Sequence, residues 1–142
     1  MTHNFRLASA TEMTLKLDRN CALTEEGAGA IDVGNSHSCA VILDHTVYCW
    51  GLNSSGQLGN DTVGVSSVPV LVPEITDADS VSAGSEHTCA RLLNGRIKCW
   101  GANDRGQFGD GSNTDSAAPV EVLGVSDAIN VAVEYSTSCA MR

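Results

Sequence analysis

The chain has 142 residues, which is enough for one ordinary domain with a hydrophobic core, and its apolar fraction of 42% is typical of globular proteins. Its formal charge of −9, with no Lys or Arg between residues 31 and 80, disfavours nucleic acid as a partner because such a surface repels phosphates. No apolar run approaches the roughly 18 residues that cross a bilayer, so we expect no membrane span.

The chain divides into an extension, two repeats and a partial third repeat. The extension (residues 1–30) contains one strand-like stretch, "MTLKLDRNCAL" from Met13 to Leu23, which carries Cys21. Residues 31–80 and 81–130 align without a gap at an offset of 50, and 18 of 50 positions are identical. Residues 131–142 begin a third copy that keeps Cys139. Self-similarity at a fixed period of this length is typical of solenoids and propellers.

Within each repeat the apolar stretches are short and β-favouring, and none has the 3.6-residue periodicity of a helix. They predict strands at 31–33, 37–42, 46–50 and 68–72, and again 50 residues later. The stretches after Trp50 and Trp100 are rich in Gly, Asn, Ser and Asp, which is typical of loops. Four short strands per repeat indicate antiparallel four-stranded blades, and therefore an all-β fold. Two full blades with partial ends cannot close a ring, so we expect an incomplete, open β-propeller.

The paired cysteines predict the register of one hairpin in each repeat. If Cys89 lies opposite Cys99, the turn consists of residues 93–95, and Gly95 takes the left-handed conformation that a three-residue loop requires. In the first repeat the corresponding residue is His45, one of the residue types enriched in that conformation. Directly opposed strand residues are within disulfide range. The spacing therefore fits two cross-strand disulfides, Cys39–Cys49 and Cys89–Cys99.

The six cysteines also bear on the compartment. An even number, mostly in pairs of fixed spacing, is expected in an oxidising environment, so we expect a secreted or extracellular protein, or one in another oxidising compartment. The opening ten residues are too polar for the apolar core of a signal peptide, so we expect any export signal to have been removed or to lie outside this chain.

Other chemistry is disfavoured. His37 with Cys39, and His87 with Cys89, could offer zinc ligands, but no Cys-x-x-Cys accompanies them and the second cysteines fall where a disulfide fits. A loop with Asp110, Asn113 and Asp115 carries oxygen ligands for Ca²⁺, but not at the spacing of known calcium loops. A redox role would need a lowered thiol pKa, and no helix N-terminus or cation that would supply one is visible. We expect no cofactor, no metal and no enzymatic activity.

The repeats resemble the regulator-of-chromosome-condensation repeat family, whose blades read roughly G-x-x-H-[ST]-x-A, a hairpin, and then W-G-x-N-x-x-G-Q-L-G. The resemblance covers residues 31–140, although Phe108 replaces the Leu and Glu134 and Thr137 replace the Gly and His in the partial repeat. The cysteine pair resembles that of secreted bacterial members. The matching residues are Gly34, His37, Ser38, Ala40, Trp50, Gly51, Asn53, Gly56, Gln57, Leu58 and Gly59 in the first repeat, and Gly84, His87, Thr88, Ala90, Trp100, Gly101, Asn103, Gly106, Gln107 and Gly109 in the second.

The resemblance implies a propeller, usually seven-bladed, that serves as a recognition surface. It also implies structural roles within the blades, including histidines that hydrogen-bond the blade backbone and tryptophans that lie in the core. The residues to which we assign such roles are His37, His87, Trp50, Trp100, Gly51, Gly101, Gln57 and Gln107.

Three functions fit this reading. The first is a secreted repeat module that binds protein, above all other copies of itself, and assembles into a ring or filament. In this hypothesis Met13 to Leu23 lies beside Val131 to Arg142 with Cys21 bonded to Cys139, either within one chain or between chains. The second is a regulator or inhibitor that binds an enzyme or small GTPase. The third, carbohydrate binding on the propeller face, is disfavoured by a content of only six aromatic residues.

Overall fold

A computed structural model describes residues 3–7, 13–17 and 28–142 of the chain. These residues form β-strands joined by turns and loops, which confirms the predicted all-β class, and they include no helix that could cross a membrane. The strands are β1 (His3–Leu7), β2 (Met13–Leu17), β3 (Ala28–Val33), β4 (His37–Ile42), β5 (Val47–Gly51), β6 (Ser66–Leu71), β7 (Ala78–Ala83), β8 (His87–Leu92), β9 (Ile97–Gly101), β10 (Ser116–Glu121), β11 (Asn130–Glu134) and β12 (Thr137–Met141).

The strands form two antiparallel four-stranded sheets and two hairpins. Strands β3 to β6 make the first sheet in chain order, and β7 to β10 make the second; we call these blade 1 and blade 2. Strands β11 and β12 pair in the register that β7 and β8 have 50 residues earlier, and we call this two-stranded sheet partial blade 3. The predicted open array of propeller-like blades is confirmed.

The central hairpin of each blade has the predicted register. Cys39 lies opposite Cys49 and Cys89 opposite Cys99, with Cα atoms 4.1 and 4.0 Å apart, and each pair is joined by a disulfide. The turn residues His45 and Gly95 have φ angles of 66° and 79°, as the three-residue loop requires. The count of residues between two cysteines therefore determines this part of the fold.

The strand ends differ from the sequence-based bounds. Strands β3 and β7 begin at residues 28 and 78, each three residues earlier than predicted, so the repeat limits at 31 and 81 lie inside strands. These early residues, among them Ala28 and Ala78, have weak β-propensity, but they pair with β4 and β8 across a register shift. Pairing with a neighbouring strand has overridden local propensity here.

The N-terminal strand does not lie where the in-chain version of our strand-pairing hypothesis puts it. Residues Met13–Leu17 do form a strand, but it pairs with β1 in a separate two-stranded sheet, whereas β11 and β12 pair with each other. Cys21 lies outside the described residues, so its bond to Cys139 and the pairing between chains stay predictions.

Candidate functional site

The interface between blade 1 and blade 2 is organised around one backbone carbonyl, that of Gln57. Thr88 Oγ1 and Trp100 Nε1, both on blade 2, donate hydrogen bonds of 2.9 Å to this oxygen. His37 Nε2 lies 2.8 Å from the same Thr88 hydroxyl. Because that hydroxyl already donates to Gln57, the histidine must be the donor to it, and this fixes the proton on Nε2. We call these four groups the interface node.

The histidine of the node is neutral. Burial is the main cause that lowers the pKa of His37 to about 4; repulsion from a protonated His87 also lowers it, and Asp32 raises it. His87, which lies at the next interface, has its pKa lowered to about 4, and burial is again the main cause. We expected the histidines to hydrogen-bond the blade backbone, but His37 instead bonds a hydroxyl of the following blade.

A second set of contacts joins β3 of blade 1 to β7 of blade 2. The hydroxyl of Ser82 and the N–H of Ala83 both donate to Asp32 Oδ2, at 3.0 and 2.9 Å. Close by, a Cβ atom added to Gly34 would collide with the backbone carbonyl of Gly84. Glycine at position 34 therefore lets the two blades approach at backbone distance.

The loop that presents the Gln57 carbonyl is held by its own side chains. Asn53 is fully buried and accepts a bond of 2.9 Å from the N–H of Leu58, while Gln57 Oε1 accepts one from the N–H of Ser55. Asn103 and Gln107 make the equivalent bonds in blade 2, with Phe108 and Arg105 as the donors. Both loops are therefore built alike.

The interface between blade 2 and partial blade 3 repeats two of these contacts, the one made by the histidine and the one between the first strands of the blades. His87 Nε2 lies 2.9 Å from Ser138 Oγ, and the N–H of Val133 donates to Ser82 Oγ at 3.0 Å. The carbonyl of Gln107, however, receives no side-chain donor from the described residues. The node at this interface has its histidine and hydroxyl, but no indole.

A cavity of about 410 Å³ lies where that indole would be. It is lined by the Gln107–Gly109 loop of blade 2, by the Cys89–Cys99 disulfide, and by Val131, Ser138 and Ala140. In the preceding interface the matching loop ends at Gly59, which packs directly against the indole of Trp100. Trp100 is fully buried there, in the same core as Leu58, Cys39 and Cys49.

Partial blade 3 also has an unpaired strand edge. Among the described strands, β12 pairs with β11 alone, whereas its counterparts β4 and β8 are paired on both sides. Cys139 lies on this edge, exposed and with no disulfide partner among the described residues, at the position that forms a disulfide in both complete blades. An unpaired strand edge with a cavity behind it is suited to binding an extended polypeptide.

The structure brings most of the predicted site residues to blade interfaces. Trp50 and Trp100 are buried, and Gly51 and Gly101 have φ angles of 115° and 104° where the strand passes tightly against the preceding loop. The paired cysteines are bonded to each other, so they are not available as thiolate zinc ligands. The described residues contain no cluster of three or more His, Cys, Asp or Glu side chains suited to a metal ion.

Sequence reasoning missed the hydrogen-bond partners of these residues. One position carries a hydroxyl in three successive repeats, as Ser38, Thr88 and Ser138. This recurrence was the sequence signal that could have predicted a hydroxyl partner for the histidines. Asp32 and Ser82 also share a position, but the residue type differs between repeats, so the sequence offered no signal for them.

The fold and its repeated interfaces define a β-propeller-type repeat protein. Two family models, both described as the regulator of chromosome condensation (RCC1) repeat, match residues 44–91 and residues 30–57 with 78–107. Together they span more than half of the chain. The chain belongs to the RCC1 repeat family.

Solved structures with the same fold include Prp20p from Saccharomyces cerevisiae, studied for its binding properties to Gsp1p and histones (TM-score 0.72, 22% identity, 91% of this chain and 33% of that one). Yeast RCC1 (Prp20) bound to Kap60 gives a TM-score of 0.63 at 22% identity, over 78% of this chain and 29% of that one. Human WBSCR16 gives 0.67 at 19%, over 79% and 30%. The chain thus spans about a third of the length of these proteins. No curated protein matches its sequence significantly.

Proposed function

We propose that this chain is a non-enzymatic, extracellular module that binds protein through the open edge of partial blade 3. The observation that carries the proposal is strand β12, which has one edge unpaired among the described strands and an exposed cysteine in the register that both complete blades use for a disulfide. The two buried disulfides support an oxidising compartment.

Self-assembly is one form that this binding takes. Residues Met13 to Leu23 of one copy lie beside β12 of the next, and Cys21 forms a disulfide with Cys139. Because donor and acceptor are different surfaces, the contact runs head to tail and gives a ring or a filament, depending on whether the rotation closes.

The test is to purify the chain without reductant and to measure its mass in solution together with its disulfide map. We expect oligomers held by a Cys21–Cys139 bond that disappear in Cys139→Ser. Cys21→Ser is the matched variant and should have the same effect. A monomer with free thiols at both positions would contradict self-assembly. If, in addition, no other polypeptide bound along the edge of β12, the whole proposal would be contradicted.

A second candidate function is regulation of an enzyme or small GTPase. It is supported by the fold shared with Prp20p, the protein studied for binding to Gsp1p and histones. The redox state discriminates between the candidates, because a regulator inside the cell works with reduced cysteines. Alkylation of thiols in chain taken directly from its source cells would favour this candidate if all six cysteines were labelled, and would oppose it if the four blade cysteines remained protected.

A further inference from the structure

We infer that Asn60 carries an N-linked oligosaccharide, which covers exposed apolar side chains in the loop between β5 and β6 of blade 1. The inference goes beyond the proposed function and rests on it in one respect, because it requires an extracellular chain. Asn60, Asp61 and Thr62 form the acceptor triplet Asn-x-Ser/Thr of N-glycosylation. Such triplets are common by chance, and it is the geometry and the surroundings of Asn60 that distinguish this one.

The side-chain amide of Asn60 is oriented by two hydrogen bonds. Asn53 Oδ1 accepts a bond from the N–H of Leu58, so Asn53 Nδ2 is the donor of the 3.3 Å bond to Asn60 Oδ1. The Thr62 hydroxyl donates to the same oxygen at 2.9 Å. Asn60 is half-buried, and its Nδ2, the atom that takes a sugar, donates no hydrogen bond to the described residues and is not enclosed. A sugar on this nitrogen therefore leaves both hydrogen bonds in place.

The other acceptor triplet, Asn53-Ser54-Ser55, is the opposite case. Asn53 is fully buried, and its Nδ2 donates both to Asn60 Oδ1 and to the backbone carbonyl of Thr62. A sugar on this nitrogen would have no room and would remove a donor from a buried site. We therefore expect one glycan per folded chain, on Asn60.

The loop beside Asn60 exposes two apolar side chains. Val63 and Val65 are 71% and 73% exposed. Gly64, which lies between them, donates to the backbone carbonyl of Asn53 at 3.1 Å, and the side chain of Asn53 also bonds Asn60, so the loop folds back towards the acceptor. Apolar side chains grouped on a surface mark a site that something else covers. A glycan on Asn60 begins close to both valines and covers them.

The matching loop of blade 2 has the same geometry without the acceptor amide. Asp110 replaces Asn60, and its carboxylate accepts from the same two groups, Asn103 Nδ2 at 3.3 Å and the Ser112 hydroxyl at 2.8 Å. The residue that follows the acceptor position has a φ angle of 58° in blade 1 and 81° in blade 2. The two loops therefore differ in whether a sugar can be attached, and not in how the position is presented.

The exposed apolar side chains follow the same division. Asn113 and Asp115 take the places of Val63 and Val65 in blade 2, and both are exposed. The loop without an acceptor is polar at these positions, whereas the loop with an acceptor is apolar. A glycan present in blade 1 alone accounts for this difference.

The covalent step transfers an oligosaccharide from a lipid-linked diphosphate donor, and the transferase of the secretory pathway catalyses it. A bond forms between Asn60 Nδ2 and the anomeric carbon of the first sugar, and the bond from that carbon to the diphosphate oxygen breaks. The lipid diphosphate leaves with the electron pair of the broken bond, and Nδ2 loses one proton. Asn60 Oδ1 stays a carbonyl oxygen, so it still accepts from Asn53 and Thr62 in the folded chain.

The experiment uses the full chain, isolated from the medium of its source cells and of insect cells that secrete it. Intact-mass spectrometry counts the glycans, and release by peptide N-glycosidase F in heavy-oxygen water labels the position, because the enzyme converts the glycosylated asparagine to aspartate. We expect one glycan, on Asn60, and none on Asn53. Thr62→Val, which removes the hydroxyl of the triplet, should abolish the glycan, whereas Thr62→Ser should keep it.

Blade 2 offers a matched gain of the site. Asp110→Asn combined with Ser112→Thr places the same triplet at the same position of the second loop, and this variant should carry two glycans. A variant that still carried one glycan would overturn the inference that this loop position presents the acceptor.

The covering of the valines is tested by releasing the glycan from the folded chain. The enzyme leaves an aspartate, the residue type that blade 2 has at this position, so the loop keeps its hydrogen bonds. Release should raise the binding of a hydrophobic dye by at least about twofold. The variant with Val63→Asn and Val65→Asp, which has the residue types of blade 2, should show no increase. Equal dye binding before and after release would overturn the covering role.

The outcomes separate the inference from the proposed function. A secreted chain with no glycan on Asn60, or with one on Asn53, would overturn the inference, while the solution mass and the disulfide map would still decide binding through β12. A glycan on Asn60 of a chain that binds nothing at β12 would support the inference and contradict the proposed function. A chain kept inside its source cells with reduced cysteines would overturn both.

Discussion

Blade 2 has one neighbour on each side, and the two interfaces use the same positions fifty residues apart but differ in completeness. At the interface with blade 1, Ile75 and Ala90 are fully buried. At the interface with partial blade 3, their counterparts are Val125, which is half-buried, and Ala140, which is exposed. The hydrogen bonds between β3 and β7 are similar to those between β7 and β11, so the difference comes from the third strand and the indole that the described part of partial blade 3 does not include.

The largest expected effect comes from removing the indole that completes the first interface. Trp100→Ala should lower the free energy of unfolding by about 3–5 kcal/mol, because a fully buried aromatic side chain and its hydrogen bond to Gln57 are lost. Urea unfolding followed by circular dichroism measures it. Tyr135→Ala, at an exposed position, is the control and should change little. A loss below about 1 kcal/mol would mean that the indole does not hold the blades together.

The two disulfides should stabilise the chain equally, although blade 1 and blade 2 differ in how complete their interfaces are. Replacing both cysteines of one pair with Ala, either Cys39 with Cys49 or Cys89 with Cys99, should cost about 2–3 kcal/mol, because both disulfides close loops of equal length. Paired unfolding curves of the two double variants test this equality. A difference above about 1 kcal/mol would show that the open interface weakens blade 2 itself.

Two valines at the same repeat position, Val72 and Val122, allow a matched comparison of how well the two interfaces are packed. Val72→Ala should cost about 2 kcal/mol because Val72 is fully buried, whereas Val122→Ala should cost about 1 kcal/mol or less because Val122 is half-buried beside the open cavity. The same side-chain atoms are removed, so only the surroundings differ. Equal costs in urea unfolding would contradict the contrast.

The last expected effect is a pH dependence that both interfaces share. The folded-state pKa of His37 and of His87 is lowered to about 4, below the unfolded value of about 6.5, so the unfolded chain binds more protons between these pH values. Stability should therefore be complete above about pH 6.5 and should decrease as the pH falls towards 4, by at most about 1.4 kcal/mol per pH unit for each histidine. Unfolding free energies measured from pH 7 to 4 should decrease less in His37→Gln and in His87→Gln than in the wild-type chain. A dependence unchanged in both variants would assign it to other groups.

What could be predicted from the sequence was the structure within a blade. The Cys89–Cys99 spacing determined the hairpin register, Gly95 determined its turn, and the 50-residue repeat transferred both to the first blade. These features depend on residues close in sequence, whose pairing has few alternatives. The fold class followed from the same local signals.

Contacts between blades could not be predicted in the same way. Trp100 was expected in a core, but nothing in its own repeat shows that its partner is the carbonyl of Gln57, 43 positions earlier. Asp32 reaches Ser82 only because β3 of blade 1 packs against β7 of blade 2 in the folded array. Strand β1 escaped prediction because its sequence, "HNFRL", is short and polar.

The interface node has a consequence for how the chain can be divided. Because Trp100 of blade 2 packs in the core of blade 1, we expect one cooperative unit of folding to run from β3 to β9 and to overlap both sequence repeats. A protein cut between residues 71 and 78 would therefore separate one folding unit into two fragments, and neither would keep the protection of its amides against hydrogen exchange. The repeat is the unit of duplication, whereas we expect the unit of stability to extend across the junction between repeats.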